Sequence, residues 1–154
     1  MKTFSKQLLL AAFFFAAIAA PTPVYATADN AYDFAKREAV TMIQHGYTFK
    51  DYTGGFLRDG SKEIISMTCQ AGNQYAIIAS GDEDTRDIDM AIVDDDNNII
   101  GYDTETKPRS FGRYQTDLAL VEFRAAYTGT YYVVVKMEDS RDVGSYYIVL
   151  MGVK

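Results

Sequence analysis

The chain is poor in the side chains that most metal and catalytic sites require. It has one cysteine, one histidine and no tryptophan among its 154 residues. A single cysteine excludes an intramolecular disulfide, and one histidine with one cysteine excludes a zinc site built mainly from these two residue types. Cys69 alternates with Ile65 and Met67 onto one face of a predicted strand. We therefore expect a buried, unreactive thiol.

The sequence patterns of common enzymes are also missing. No Gly-x-Ser-x-Gly segment is present, and this segment would mark the nucleophile of a serine hydrolase. His45 falls in the last turn of a predicted helix, where a cation is favoured by the helix dipole. Neither Gly54-Gly55 nor Gly60 is followed by the lysine and helix of a phosphate-binding loop. Acidic pairs occur in turns, without signs of the cleft that glycosidases need. We therefore predict that the protein is not an enzyme.

The chain has no apolar run long enough to cross a membrane. Leu8–Ala20 covers roughly 13 residues, whereas a membrane-spanning helix needs about 20. Two lysines precede this run, and Val24-Tyr25-Ala26 follows it with the small residue typical of a signal-peptide cleavage site. We predict a cleaved signal peptide over residues 1–26, with cleavage after Ala28 as the alternative. The protein should therefore be periplasmic or secreted, without stable membrane insertion.

The remaining chain is short of positive charge. Without Lys2 and Lys6, 13 basic side chains stand against 21 acidic ones, which leaves a net charge of −8. Binding to nucleic acid depends on clustered lysine and arginine, so we expect no nucleic-acid partner. Cations and basic protein surfaces are the ligands that this charge favours.

Residues 27–46 are predicted to form one helix. Asp29 or Asn30 can cap its start, it runs to about Gln44, and Gly46 provides the left-handed stop. An apolar stripe at helical spacing predicts that the helix packs on a sheet or covers a sheet edge, with a partner-binding helix as the alternative. This stripe consists of Ala31, Tyr32, Ala35, Ala39, Met42 and Ile43.

Residues 47–154 read as one domain of about seven or eight short strands, as in an all-β sandwich or barrel. The central stretch Ala76–Asp103 alternates apolar strands with acidic turns. Two interruptions are predicted: Gly54-Gly55 breaks the chain before the next strand, and Thr104–Thr116 is a loop because it contains proline and glycine.

Carboxylates crowd the turn within that central stretch. Asp82, Glu83, Asp84, Asp87 and Asp89 provide the hard oxygen ligands that calcium prefers. We predict a calcium site formed by Asp82, Asp84 and Asp87, with Asp89 as a further ligand. The alternative is a solvated acidic loop in which Asp87 or Asp89 accepts hydrogen bonds from backbone amides.

A second acidic segment, Asp94–Asn98, resembles EF-hand spacing when Glu105 is counted as the twelfth position. Ile99 occupies the position where an EF-hand loop requires glycine. We therefore predict a hairpin tip here, because Asp and Asn favour turns.

Six short motifs follow one another along the chain: Ala71–Tyr75, Ser80–Asp82, Asp87–Met90, Asp94–Asn98, Thr128–Val133 and Gly144–Tyr147. Their order and spacing resemble the bacterial pre-peptidase C-terminal (PPC) domain, over roughly Gly55–Val153. The resemblance implies a jelly-roll-like antiparallel β-sandwich that serves exported enzymes as an accessory module; some members bind calcium and some bind an insoluble substrate. We expect no attached catalytic domain and therefore no targeting of an enzyme in cis.

These observations favour an exported, non-catalytic binding module for a protein or glycan. The doublets Tyr131-Tyr132 and Tyr146-Tyr147 should each place one ring inside the fold and one outside, because side chains alternate along a strand. Exposed aromatic rings suit recognition of either partner, whereas packing beneath the helix and loops is the alternative role. A rival hypothesis is a periplasmic inhibitor or immunity protein whose carboxylates cover the basic rim of an exported enzyme.

Overall fold

A computed structural model of the protein describes residues 27–112 and 114–154. The predicted signal peptide, residues 1–26, lies outside these ranges. Within them, no helix is long and apolar enough to cross a membrane. The elements are α1 (Ala28–Gln44), β1 (Thr48–Arg58), β2 (Lys62–Cys69), β3 (Gln74–Gly81), β4 (Thr85–Asp94), β5 (Ile99–Asp103), β6 (Arg109–Phe111), β7 (Tyr114–Thr116), β8 (Leu118–Arg124), β9 (Gly129–Ser140) and β10 (Gly144–Val153).

Eight of these strands form two four-stranded antiparallel sheets that pack face to face. Sheet 1 has the order β1-β10-β3-β8 and sheet 2 the order β2-β9-β4-β5. The chain passes repeatedly from one sheet to the other, which is the eight-strand arrangement of a jelly roll. The predicted all-β, jelly-roll-like sandwich with one N-terminal helix is confirmed.

The main core lies between the two sheets. Alternate residues of each strand point inward, as in Ile88, Met90 and Ile92 of β4. Cys69 is fully buried in this core, and burial raises the pKa of its thiol to about 11. The predicted burial of the cysteine is therefore confirmed, and its low reactivity stays a prediction that the raised pKa supports.

A second, smaller core lies between α1 and the outer face of sheet 1. Ala31, Ala35 and Met42 pack there against sheet residues that include Ile78 and Ile148. The prediction that the helix packs on a sheet is confirmed. The predicted stripe was wrong at two positions: Ile43 is 54% exposed, and Phe34, which the stripe omitted, is buried in contact with Phe111 of β6.

The helix ends differ partly from prediction. Thr27 caps the start, and its side-chain oxygen accepts a hydrogen bond of 3.3 Å from the backbone N–H of Asn30. The expected caps, Asp29 and Asn30, lie in the first turn instead. At the other end, Gly46 has a φ of 91°, so the predicted left-handed stop is confirmed.

Of the two predicted interruptions, the break at Gly54-Gly55 was wrong, and the loop Thr104–Thr116 was right only for residues 104–108. β1 continues through Gly54-Gly55, because a Cβ at Gly54 would lie only 2.3 Å from the carbonyl oxygen of Tyr147 and glycine alone allows this strand to pair closely. Between residues 104 and 116, β6 and β7 form a small hairpin. It is anchored to α1, since the ring of Phe111 stacks on Phe34 at 4.7 Å between centroids.

Candidate functional site

The structure divides the carboxylates predicted to bind calcium into two groups. Asp82 is fully buried after β3 and accepts hydrogen bonds from Ser145 Oγ and from the backbone N–H groups of Tyr146 (3.1 Å) and Asp84 (3.0 Å). Burial raises the pKa of Asp82, and these hydrogen bonds oppose the rise. Glu83 accepts two hydrogen bonds from the Asn30 side chain. The first group therefore ties the β3–β4 turn to β10 and α1.

The second group, Asp87 and Asp89, lies on β4. Burial raises the pKa of Asp89 to about 6, and the negative charges of Asp87 and Glu138 add to the rise. Burial also raises the pKa of Asp87. Lys136 pairs with Glu138 beside them on β9 and partly offsets their charge. The result is a partly neutralised acidic patch at one end of sheet 2.

Across residues 27–112 and 114–154, no group of three His, Cys, Asp or Glu side chains has an arrangement that could hold a metal ion. Asp82 with Asp84, and Asp87 with Asp89, have separate sets of contacts. Calcium binding by Asp82, Asp84, Asp87 and Asp89 therefore stays a prediction.

The acidic hairpin tip is a turn held by Asp94. Its carboxylate accepts hydrogen bonds from the backbone N–H groups of Asp96 (3.0 Å) and Asn98 (2.8 Å), and from the Asn98 side chain (3.0 Å). The Asn98 side chain contributes most to lowering the pKa of Asp94. Asn97 has a φ of 62°, a left-handed conformation that asparagine tolerates. The predicted hairpin tip is confirmed.

The single histidine ends α1. His45 is the C-cap residue, and its carbonyl accepts a hydrogen bond of 3.2 Å from Lys154 Nζ. This position agrees with the prediction that His45 lies at the end of the helix. Cys69 lies in the main core, so these two residues belong to different parts of the fold.

The most distinctive surface is the outer side of sheet 2, which we call the open face. α1 covers the corresponding side of sheet 1, whereas no helix within residues 27–112 and 114–154 covers the open face. Strand register places two rows of side chains across all four strands. These rows are Ile64–Val134–Ala91–Tyr102 and Ser66–Tyr132–Val93–Ile99.

Along the direction of its strands, the open face is apolar in the middle and acidic at both strand ends. Tyr102 is 68% exposed, Ile99 65% and Ile64 58%. Burying large apolar side chains like these would stabilise the protein, so their exposure is unfavourable in the isolated chain. At one end lie Asp87, Asp89 and Glu138 with Lys62 and Lys136, and at the other Asp95 and Asp96 of the hairpin tip.

Sequence reasoning missed this surface. Alternation places Ile64 opposite Ile65 and Met67, so an outward isoleucine was visible from the sequence alone. That β2 and β5 contribute to one face was not visible, because the register across β9 and β4 brings them together. The alternation of both tyrosine doublets is confirmed: Tyr131 and Tyr147 are buried, whereas Tyr132 and Tyr146 are partly exposed.

Comparison with known proteins leaves the family of this chain unassigned. No protein-family model matches the sequence, and no curated protein matches it. Among solved structures, the chain is similar to PliG of Aeromonas hydrophila, a periplasmic inhibitor of g-type lysozyme, with a TM-score of 0.48 at 10% identity. The match covers 68% of this chain and 85% of PliG. A likeness at this level assigns neither a family nor a function.

Proposed function

We propose that this chain is an exported, non-catalytic binding protein that docks a protein partner on the open face. The observation that carries the proposal is the cross-strand row from Ile64 to Tyr102, in which an uncovered sheet presents exposed apolar side chains on both of its edge strands, β2 and β5. Export rests on the predicted signal peptide of residues 1–26.

A protein partner fits the open face better than a glycan does. Isoleucine and valine side chains complement other apolar side chains, and burying one exposed isoleucine fully contributes about 1.5–3 kcal/mol. Tyr102 adds an aromatic ring with a polar tip, and tyrosine is one of the residue types enriched at the energetic centre of protein interfaces. The half-buried Tyr132 and Val134 give that centre a continuous floor.

The charge of the rim specifies the partner further. Carboxylates outnumber ammonium groups at both ends of the open face, so a partner with a basic rim is favoured electrostatically. Such complementarity also accelerates association.

A second candidate function follows from the same acidic rim: inhibition of, or immunity to, an exported enzyme whose active-site entrance is basic. Membership of the PPC family and stabilisation by calcium are further parts of the hypothesis, and both rest on sequence motifs.

Photo-crosslinking in the compartment of the native protein tests the main proposal. Benzoyl-phenylalanine is introduced at Tyr102 or Ile99, and at Ile43 on the exposed side of α1 as a matched control. We expect a discrete protein adduct from the first two positions and none from the third. Absence of an adduct, or equal adducts from all three positions, contradicts the proposal. Activity of the captured partner, measured with and without the protein, distinguishes an inhibitor from another binding module.

A further inference from the structure

A second surface lies at one side of the sandwich, away from the centre of the open face. β1 is an edge strand of sheet 1 and β2 is an edge strand of sheet 2. A cleft of about 690 Å³ separates these two edges, which is within the range of about 300–1,000 Å³ typical of ligand pockets.

The cleft has an apolar floor and a polar rim. Met67, Tyr75, Met151 and Val153 reach it from the inner faces of the two sheets, and hydroxyl and amide side chains surround them. Lys50 and Asp51 are the charged residues of the lining, one of each sign. The lining therefore has no net charge, in contrast to the acidic rim of the open face.

A β-bulge shapes the β1 side of the cleft. The register with β10 moves from Phe49–Gly152 to Asp51–Met151, which leaves Lys50 without a partner on β10. A bulge of this kind bends a strand and disturbs its ladder. Among the residues that the structure describes, β1 pairs only with β10 and β2 only with β9. The outer edge of each strand therefore has backbone N–H and C=O groups without a strand partner.

From this geometry we infer that the cleft binds an extended peptide segment carrying an apolar side chain. A peptide backbone repeats N–H and C=O groups at the spacing of a strand edge, so it can add to β1 or β2 as a further strand. Its side chains on one face enter the apolar floor, because successive side chains of a strand alternate. A polyanion has no cluster of cations to bind, and a metal ion has only the carboxylate of Asp51. This site goes beyond the function proposed for the open face.

Nuclear magnetic resonance titration of the exported mature protein tests the inference. The probe is a blocked heptapeptide of alternating threonine and valine. Two comparison ligands are used: an analogue of this peptide with N-methyl groups on alternate amides, and the oligosaccharide chitotetraose. At millimolar peptide we expect shifts of the backbone amides of Lys50, Asp51, Met67 and Tyr75, which line the cleft and do not belong to the open face, together with slower hydrogen exchange along the pairing strand. The N-methylated peptide should cause neither change, because it lacks the donors for strand pairing.

Variants separate this site from the open face. Val153→Asp places a carboxylate on the apolar floor and should weaken peptide binding about tenfold or more, whereas Val143→Asp, at a 60% exposed position outside the lining, should not. Tyr102→Arg should abolish partner capture by the open face and leave the peptide-induced shifts unchanged. No shift with the peptide, equal shifts with its N-methylated analogue, or shifts with chitotetraose alone would overturn the inference.

Discussion

Ile64 on β2 and Tyr102 on β5 lie at opposite ends of one row of residues across sheet 2, and both side chains are more than half exposed. Between them, Val134 and Ala91 are partly buried by their neighbours in the sheet. The exposed pair therefore contributes little to the core of the isolated protein. Its apolar surface remains available to a partner.

Truncating this pair should separate binding from stability. We expect Ile64→Ala and Tyr102→Ala each to weaken binding of the captured partner about tenfold or more, as truncation of an energetically dominant interface residue does. The free energy of unfolding should change by no more than about 0.5 kcal/mol, since both side chains are exposed. Titration calorimetry and urea unfolding measure the two quantities. Ile43→Ala is the control, and an equal loss of affinity there would contradict a role specific to the open face.

Asp89 should make stability depend on pH. Burial raises its pKa to about 6, above the value of about 3.9 in an unfolded chain. The folded protein therefore binds the proton more tightly, and ionisation of Asp89 lowers stability as pH rises from about 4 to 6. We expect Asp89→Asn to raise the free energy of unfolding by about 1 kcal/mol at pH 7.5, after allowance for solvent screening. The gain should shrink towards zero near pH 4.

Urea unfolding at a series of pH values measures this effect. Asp96→Asn, at the exposed hairpin tip, is the matched control and should show no such dependence. A stabilisation by Asp89→Asn that is the same at pH 4 and pH 7.5 would contradict the assigned cause.

The adjacent glycines of β1 should respond differently to alanine. In Gly54→Ala the new Cβ meets the carbonyl oxygen of Tyr147 at 2.3 Å, so the pairing of β1 with β10 must shift. We expect a loss of about 1–3 kcal/mol, as for other overpacked sites. In Gly55→Ala the nearest atom is Cε1 of the Tyr147 ring at 3.6 Å, an ordinary contact. Thermal unfolding of the two variants tests the difference, and equal losses would show that close strand approach is not the reason for Gly54.

Calcium binding has a direct thermodynamic test. If the carboxylates Asp82, Asp84, Asp87 and Asp89 hold the ion, millimolar calcium raises the melting temperature, because a ligand of the folded state stabilises it. The rise should disappear in Asp84→Ala and Asp87→Ala. Magnesium is the control for general screening of charge. No shift with calcium, or an undiminished shift in both variants, rules out these ligands.

Much of the fold could be predicted from local patterns. Alternation of Cys69 with Met67 and within the doublet Tyr131-Tyr132 identified the buried faces of β2 and β9, and the acidic segment Asp94–Asn98 identified a turn. The prediction failed at two places that depend on distant contacts. Gly54 resembles a chain break in sequence but permits close pairing of β1 with β10. The segment from Thr104 to Thr116 has few strand-forming residues, and its hairpin is held by the contact of Phe111 with Phe34 on the distant helix.

The candidate site was much less predictable than the fold. Carboxylates close in sequence, such as Asp82 and Asp87, have different surroundings because alternation and the turn after β3 direct them apart. Conversely, Ile64 and Tyr102 are far apart in the chain and share a face only through the pairing of four strands.

By itself, the sequence determined the alternation of inward and outward side chains along the strands, the helix with its glycine stop, the buried cysteine and the net negative charge. These properties depend on neighbouring residues and on composition. Only the tertiary structure decided which side of the sandwich α1 covers, which residues form the open face and where β1 and β2 leave a cleft. Each of these depends on long-range register, since strand pairing fixes which distant side chains become neighbours.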